Sequence, residues 1–131
     1  VYMFNNESFL VLLAAILNFL MTVIWYSVLK EKWMKALSLK ESDLNAKDPK
    51  PLLITFIGSL WASYGMYLIL KHIQPKNLEE LLAVAIGTWL FIYVGMGAKH
   101  YAMAKRKFSA FSINYGIDLL GFVMMALIIW G

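Results

Sequence analysis

Asp118 stands inside FSINYGIDLLGFVMMALIIW, residues 111–130, a run that carries no other charge. At the centre of an apolar helix of that length a carboxylate costs roughly 2.5–3.5 kcal/mol on insertion scales, so it turns toward other helices or a wet cavity and finds a partner. Asn114 lies one turn before it on the same helix face. Asn18, Ser63 with Tyr64, and Thr88 each sit within a further uncharged run. A carboxylate with amides and hydroxyls at one depth has two chemical uses. It can bind a cation or pass a proton, or its members can satisfy one another and hold helices together.

The elements that must position these residues are four apolar runs, 9–29, 52–70, 81–98 and 111–130. Each is long enough at 1.5 Å rise per residue to cover most of a ~30 Å hydrocarbon core. The composition agrees: of 131 residues 61% are hydrophobic and 15% charged, and the mean hydropathy is +0.66, well above an ordinary soluble domain. The expected fold is therefore all-α, an integral membrane four-helix bundle forming one domain over residues 1–131. The first run is read as a retained helix and not a cleaved signal, because no basic residue precedes it and Trp25-Tyr26 stands where small residues would precede cleavage.

Between the runs the sequence carries interface and turn signals. Trp25, Tyr26 and Trp33, followed or interleaved by Lys30, Lys32 and Lys35, have the look of an aromatic belt with basic anchors. Trp33, Met34 and Leu37 share a helix face, so residues 31–39 are expected to extend the first helix or to lie along the interface. The loop to Pro51 mixes Asp43 and Asp48 with lysines, which a solvated loop explains without a metal. Asp48 before Pro49 suits the start of the second helix, and Asn77 followed by Glu80 has capping-box spacing for the third. Gly58 with Ala62, and Ser59 with Ser63, give the second helix small faces for close contact, as Gly87, Gly95, Gly97 and Ala98 do for the third.

Charge sets the orientation. Lys30, Lys32, Lys35, Lys40, Lys47, Lys50, Lys99, Lys105, Arg106 and Lys107, ten of the twelve basic residues, fall in the first and third loops. Only Lys71 and Lys76 fall on the side of the termini. The positive-inside rule then puts both termini outside, with Lys105, Arg106 and Lys107 as inner anchors. In that frame Asp118 lies about 13 Å from the inner end of its helix and Asn18 a similar distance from the outer end of the first. Ser63, Tyr64 and Thr88 come within a turn or two of that level, so Asp118 is expected to pair with Asn18 or Asn114 in a midplane polar layer.

An internal echo joins two inner ends: Tyr26-x-x-x-Lys30-x-Lys32-Trp33 and Tyr101-x-x-x-Lys105-x-Lys107-Phe108. Interfacial anchoring of two helices that run the same way explains it, and a repeat of two hairpins is the other reading.

Trp25-Tyr26-Ser27, Lys32-Trp33-Met34, residues 37–44, Ile113-Asn114-Tyr115-Gly116 and the Met124 to Trp130 ending together resemble a family of small bacterial membrane proteins catalogued as domain of unknown function 1761. The resemblance covers nearly the whole chain. That family usually has Pro after its Trp-Tyr-Ser, where Val28 stands here, and often His where this chain has Asp118. It implies four spans and no established activity.

Exclusions narrow the rest. Without cysteine there is no thiolate chemistry and no disulfide. His72 and His100 fall at opposite membrane faces, which removes a paired haem site, and neither a phosphate loop nor a Ser-His-Asp set is present. No cofactor or metal is expected, and topology explains the lysines without nucleic acid. The chain reads as a multi-pass protein of the cell membrane and not an enzyme. Its expected partners are the bilayer, a second copy, and other membrane proteins. A small transporter or channel subunit using Asp118 is the alternative.

Overall fold

The computed structural model describes residues 6–39 and 48–130; Lys40, Asp43 and Lys47 lie outside them. Among the described residues every regular element is helical: α1 (Asn6–Val28), α2 (Lys30–Ala36), α3 (Lys50–Ile73), α4 (Leu78–Gly87), a π-helical stretch Thr88–Val94, α5 (Gly95–Met103) and α6 (Phe108–Trp130). Four helices, with α4, the π stretch and α5 counted as one, are long and apolar enough to cross a membrane. The residues are apolar around most of each helix, as expected where a helix meets apolar surroundings on every side.

Local chemistry explains the ends. Asn77 is extended, and its side chain accepts from the Glu80 N–H at 2.9 Å. The Glu80 carboxylate reaches back to the Lys76 N–H at 2.8 Å, so the capping box forms one residue wide of the usual partner. At the start of α3 the Asp48 carboxylate accepts from the Lys50 N–H at 3.0 Å, and Pro51 stands in the first turn. α1 ends at Val28, and α2 starts afresh at Lys30 instead of continuing it. α2 then closes in a Schellman motif with Ser38 left-handed (φ 58°), its Leu39 N–H on the Met34 carbonyl at 2.8 Å. α5 ends the same way on Lys105 (φ 55°), with the Arg106 N–H on the Tyr101 carbonyl at 2.9 Å.

α6 is the element that the others share. α1 packs along both α3 and α6, whereas the third long helix packs chiefly on α6. At the end carrying the termini, Ala14, Met66, Leu70, Leu81, Ala85, Met125 and Ala126 form one buried core drawn from α1, α3, α4 and α6. At the opposite, lysine-rich end the contacts are aromatic and hydrogen-bonded.

The small residues divide by partner. Ser59 and Ser63 are buried against α1, while Gly58 and Ala62 on the same helix are exposed. On the third long helix Gly97 is buried under Tyr115, whose hydroxyl occupies the place a Cβ would take, whereas Gly87 and Gly95 have open space there. Only one member of each proposed small-residue set is used for packing within the chain in α5, and only the serine pair in α3.

Candidate functional site

The aromatic end converges on one amide. Oδ1 of Asn114 accepts from the hydroxyl of Tyr26 and from Nε1 of Trp33, the latter at 3.1 Å, and Nδ2 of Asn114 donates to the hydroxyl of Tyr101. Asn114 on α6 thereby ties α1, α2 and α5 to one side chain. Two indoles reinforce the arrangement by donating to α6 carbonyls: Trp25 to Ile113 at 3.0 Å from α1, and Trp89 to Tyr115 at 2.8 Å from the π stretch. Tyr115 is held from several sides, with ring centroids 4.7 Å from Tyr93, 5.8 Å from Tyr101 and 4.6 Å from Phe111. Tyr26 and Trp33 meet edge-on at 5.3 Å. Buried or half-buried Tyr and Trp need a partner for their polar tip, and here α6 supplies it.

Trp25, Tyr26 and Trp33 therefore join helices in addition to standing at the end of an apolar run. After the break at Leu29, α2 packs on α6 and delivers the Trp33 indole to Asn114. The echo between Tyr26 and Tyr101 has a corresponding outcome, since both tyrosines end on the same amide.

Asp118 has a different partner from those expected. Its Oδ2 accepts from the hydroxyl of Tyr93 at 2.5 Å, and neither Asn18 nor Asn114 reaches it. Tyr93 lies within the π stretch. Trp89 and Tyr93 both turn toward α6 from within it, and Tyr93 also packs on Phe122 with centroids 5.5 Å apart. Such wider turns recur at functional sites, and a helical reading of 81–98 as one regular α-helix has no signal for one. The Asp118 carboxylate is half-buried, and Tyr93 is 37% exposed.

Asn18 is taken by another group: its Nδ2 donates to Ser59 at 3.1 Å, and its Oδ1 lies over Gly121 where a Cβ would stand. An α6 glycine thus allows α1 to approach and to hold α3 through the same side chain. Ser63 is fully buried and donates to the Val11 carbonyl at 2.7 Å. Val11 lies two turns from Asn18, about 10 Å along α1 toward the termini. Tyr64 is exposed and faces Tyr67, and Thr88 opens the π stretch half-buried. The single midplane layer expected from the sequence is thus several separate groups. Asp118 and Asn114, one turn apart, both reach the third long helix, through Tyr93 and Tyr101 respectively, and Asn114 alone also reaches α1 and α2.

Among the described residues no buried side-chain nitrogen or oxygen lacks a hydrogen-bond partner. Of the basic anchors, Lys32 and Lys107 line one groove and Arg106 lines a cavity of about 280 Å³ that also reaches His100, Tyr101 and Asn114. Lys105 forms the left-handed turn, and Lys30 lines a cleft between α1, α2 and α3. The site residues that sequence reasoning passed over are Tyr93 and Trp89, while Tyr101 and Ser59 stood in it only as part of an echo and of a small-residue face. An intramembrane Tyr one to two turns from a carboxylate-bearing level was the available signal for the first.

No curated protein and no solved structure matches the chain. The family described as Protein of unknown function (DUF1761) matches residues 9–130. With nearly the whole length matched, the chain belongs to that family.

Proposed function

We propose that this is a non-catalytic, multi-pass protein of the cell membrane that assembles with a second copy of itself, both termini outside. The lysine distribution supports the orientation, since ten basic residues flank one end of the four apolar helices and two the other. One observation carries the assembly reading. The only hydrogen bond to the Asp118 carboxylate among the described residues comes from Tyr93, which is exposed, and Asp118 is itself only half-buried between α6 and the third long helix. In hydrocarbon a carboxylate with one donor is costly, and a second protomer laid over this helix pair shields it and adds donors. Gly87 and Gly95, at either end of the π stretch with open space at their Cβ positions, permit that close approach.

Because the chain has no cysteine, single substitutions report contact cleanly. Ile92→Cys and Met96→Cys, both exposed and within one turn of Tyr93, are expected to form disulfide-linked dimers in oxidised membranes, and Ile54→Cys on α3 is not. Equal linking at all three positions, or none, would count against the reading.

The second reading, a small transporter or channel subunit, is favoured by the cavity that leads from His100 and Arg106 to Asn114, one turn from Asp118. A carrier site must exist in two states of different ligand affinity. Proteoliposome flux of protons or monovalent cations, measured for wild type beside Asp118→Asn, decides it. Flux lost in the variant supports transport, and flux equal or absent in both removes it.

A further inference from the structure

We propose that the groove between α2 and the first turns of α6 binds the phosphate of an anionic phospholipid. The groove has a volume of about 460 Å³ and is lined by Lys32 and Lys35 from α2, by Lys107 just before α6, and by Ser109 on its first turn. Ala36, which is buried, and Ile113, which is half-buried, give it an apolar floor. No carboxylate is among the described residues that line it. Three ammonium groups around one concavity repel one another, and an anion seated among them converts that repulsion into attraction.

The floor and the location choose the anion. A free phosphate has no use for Ile113 and Ala36, whereas the glycerol and first methylenes below a lipid phosphate do. α2 and the start of α6 stand where two of the long apolar helices end, the depth of the headgroups if those helices cross a bilayer, and the proposal rests on that membrane reading. Basic pockets between helices on the lysine-rich side are suited to anionic headgroups, each lysine adding several-fold in affinity. Ser109 adds a hydroxyl donor for a phosphate oxygen. A lipid held there bridges α2 to α6 beside the point where Trp33 already reaches Asn114.

The test uses the purified full chain in detergent, titrated with phosphatidylglycerol, phosphatidylcholine or inorganic phosphate and followed by native mass spectrometry. One phosphatidylglycerol should be retained where phosphatidylcholine is not, and excess inorganic phosphate should fail to displace it. Replacing Lys32, Lys35 and Lys107 together by Gln should weaken retention on the order of a hundredfold. The same three positions as Arg should keep it, which guards against a folding defect. Lys50, Lys99 and Lys105 replaced together by Gln remove equal charge outside the groove and should change retention less than about threefold, as screened and distant charges do. An equal loss in both Gln triples, equal retention of the two lipids, or displacement by inorganic phosphate overturns the proposal. Flotation with phosphatidylcholine vesicles separates the two levels: a chain that floats but lacks the lipid preference has lost only this site, and one that does not float has lost the membrane reading itself.

Discussion

Tyr26 and Tyr101 meet on the same side chain from opposite directions: the first donates to Oδ1 of Asn114, and the second accepts from its Nδ2. One amide thus couples α1 to α5, two elements with little other contact, and with Trp33 it also holds α2. Because every partner is aromatic and lies at the lysine-rich end of the molecule, this amide sets how three elements are arranged around α6 there.

Replacing Asn114 by Ala should therefore destabilise the chain by about 2 kcal/mol, three intrahelix-bundle bonds at the modest worth measured for such bonds in membranes. Tyr26→Phe and Tyr101→Phe should each cost less than about 1 kcal/mol alone. Their double variant should be non-additive, since both act through one amide. Unfolding titrations in bicelles measure all four, and strict additivity would show that the two tyrosines act independently.

The pair of Tyr93 and Asp118 is open to a double-mutant cycle. Tyr93→Phe and Asp118→Asn should show a coupling energy of roughly 0.6–1.7 kcal/mol, the range for interhelical hydrogen bonds in such bundles. Asn18→Leu should leave that coupling unchanged, because Asn18 bonds Ser59 and not Asp118. A coupling that vanishes in the Asn18→Leu background would restore the pairing the sequence suggested.

Glycines of the third long helix should respond oppositely to Ala. At Gly97 the Tyr115 hydroxyl and ring occupy the Cβ position, and Tyr93, Tyr101 and Phe111 prevent the ring from moving aside. Gly97→Ala should cost about 1–3 kcal/mol as an overpacked site. Gly95→Ala meets open space and should be neutral or stabilising by about 0.5–1 kcal/mol through helix propensity. In a protein that dimerises through this face, the same Gly95→Ala change should weaken disulfide linking at Met96→Cys.

At the end of α3, Gln74 is left-handed with φ 52°. A left-handed residue with a Cβ is strained by roughly 1–2 kcal/mol, and glycine relieves this while losing part of the gain to its freer unfolded chain. Gln74→Gly should raise stability by about 0.5–1 kcal/mol, seen as a higher midpoint in thermal unfolding. A lower midpoint would mean that the Gln74 side chain contributes more than its backbone costs.

By itself the sequence determined the four apolar helices and their order, because length and hydropathy alone decide whether a segment can cover a bilayer core. It also determined the Asn77 cap, a contact between residues three apart whose geometry is local. The participation of Asn18, Asn114 and Asp118 in polar contacts was legible too, since an amide or carboxylate in an apolar run needs a partner. Their partners were not. Depth along a helix can be counted from its end, but the azimuth at which each helix faces its neighbours depends on packing. Trp33 follows the break at Leu29 and reaches Asn114, and Tyr93 lies within the wide turns of Thr88–Val94 and reaches Asp118. Neither a short helix break nor a π stretch leaves a mark in hydropathy. Both stand beside close contacts between residues far apart in the chain, Gly97 under Tyr115 and Gly121 under Asn18 among them, which no local pattern encodes.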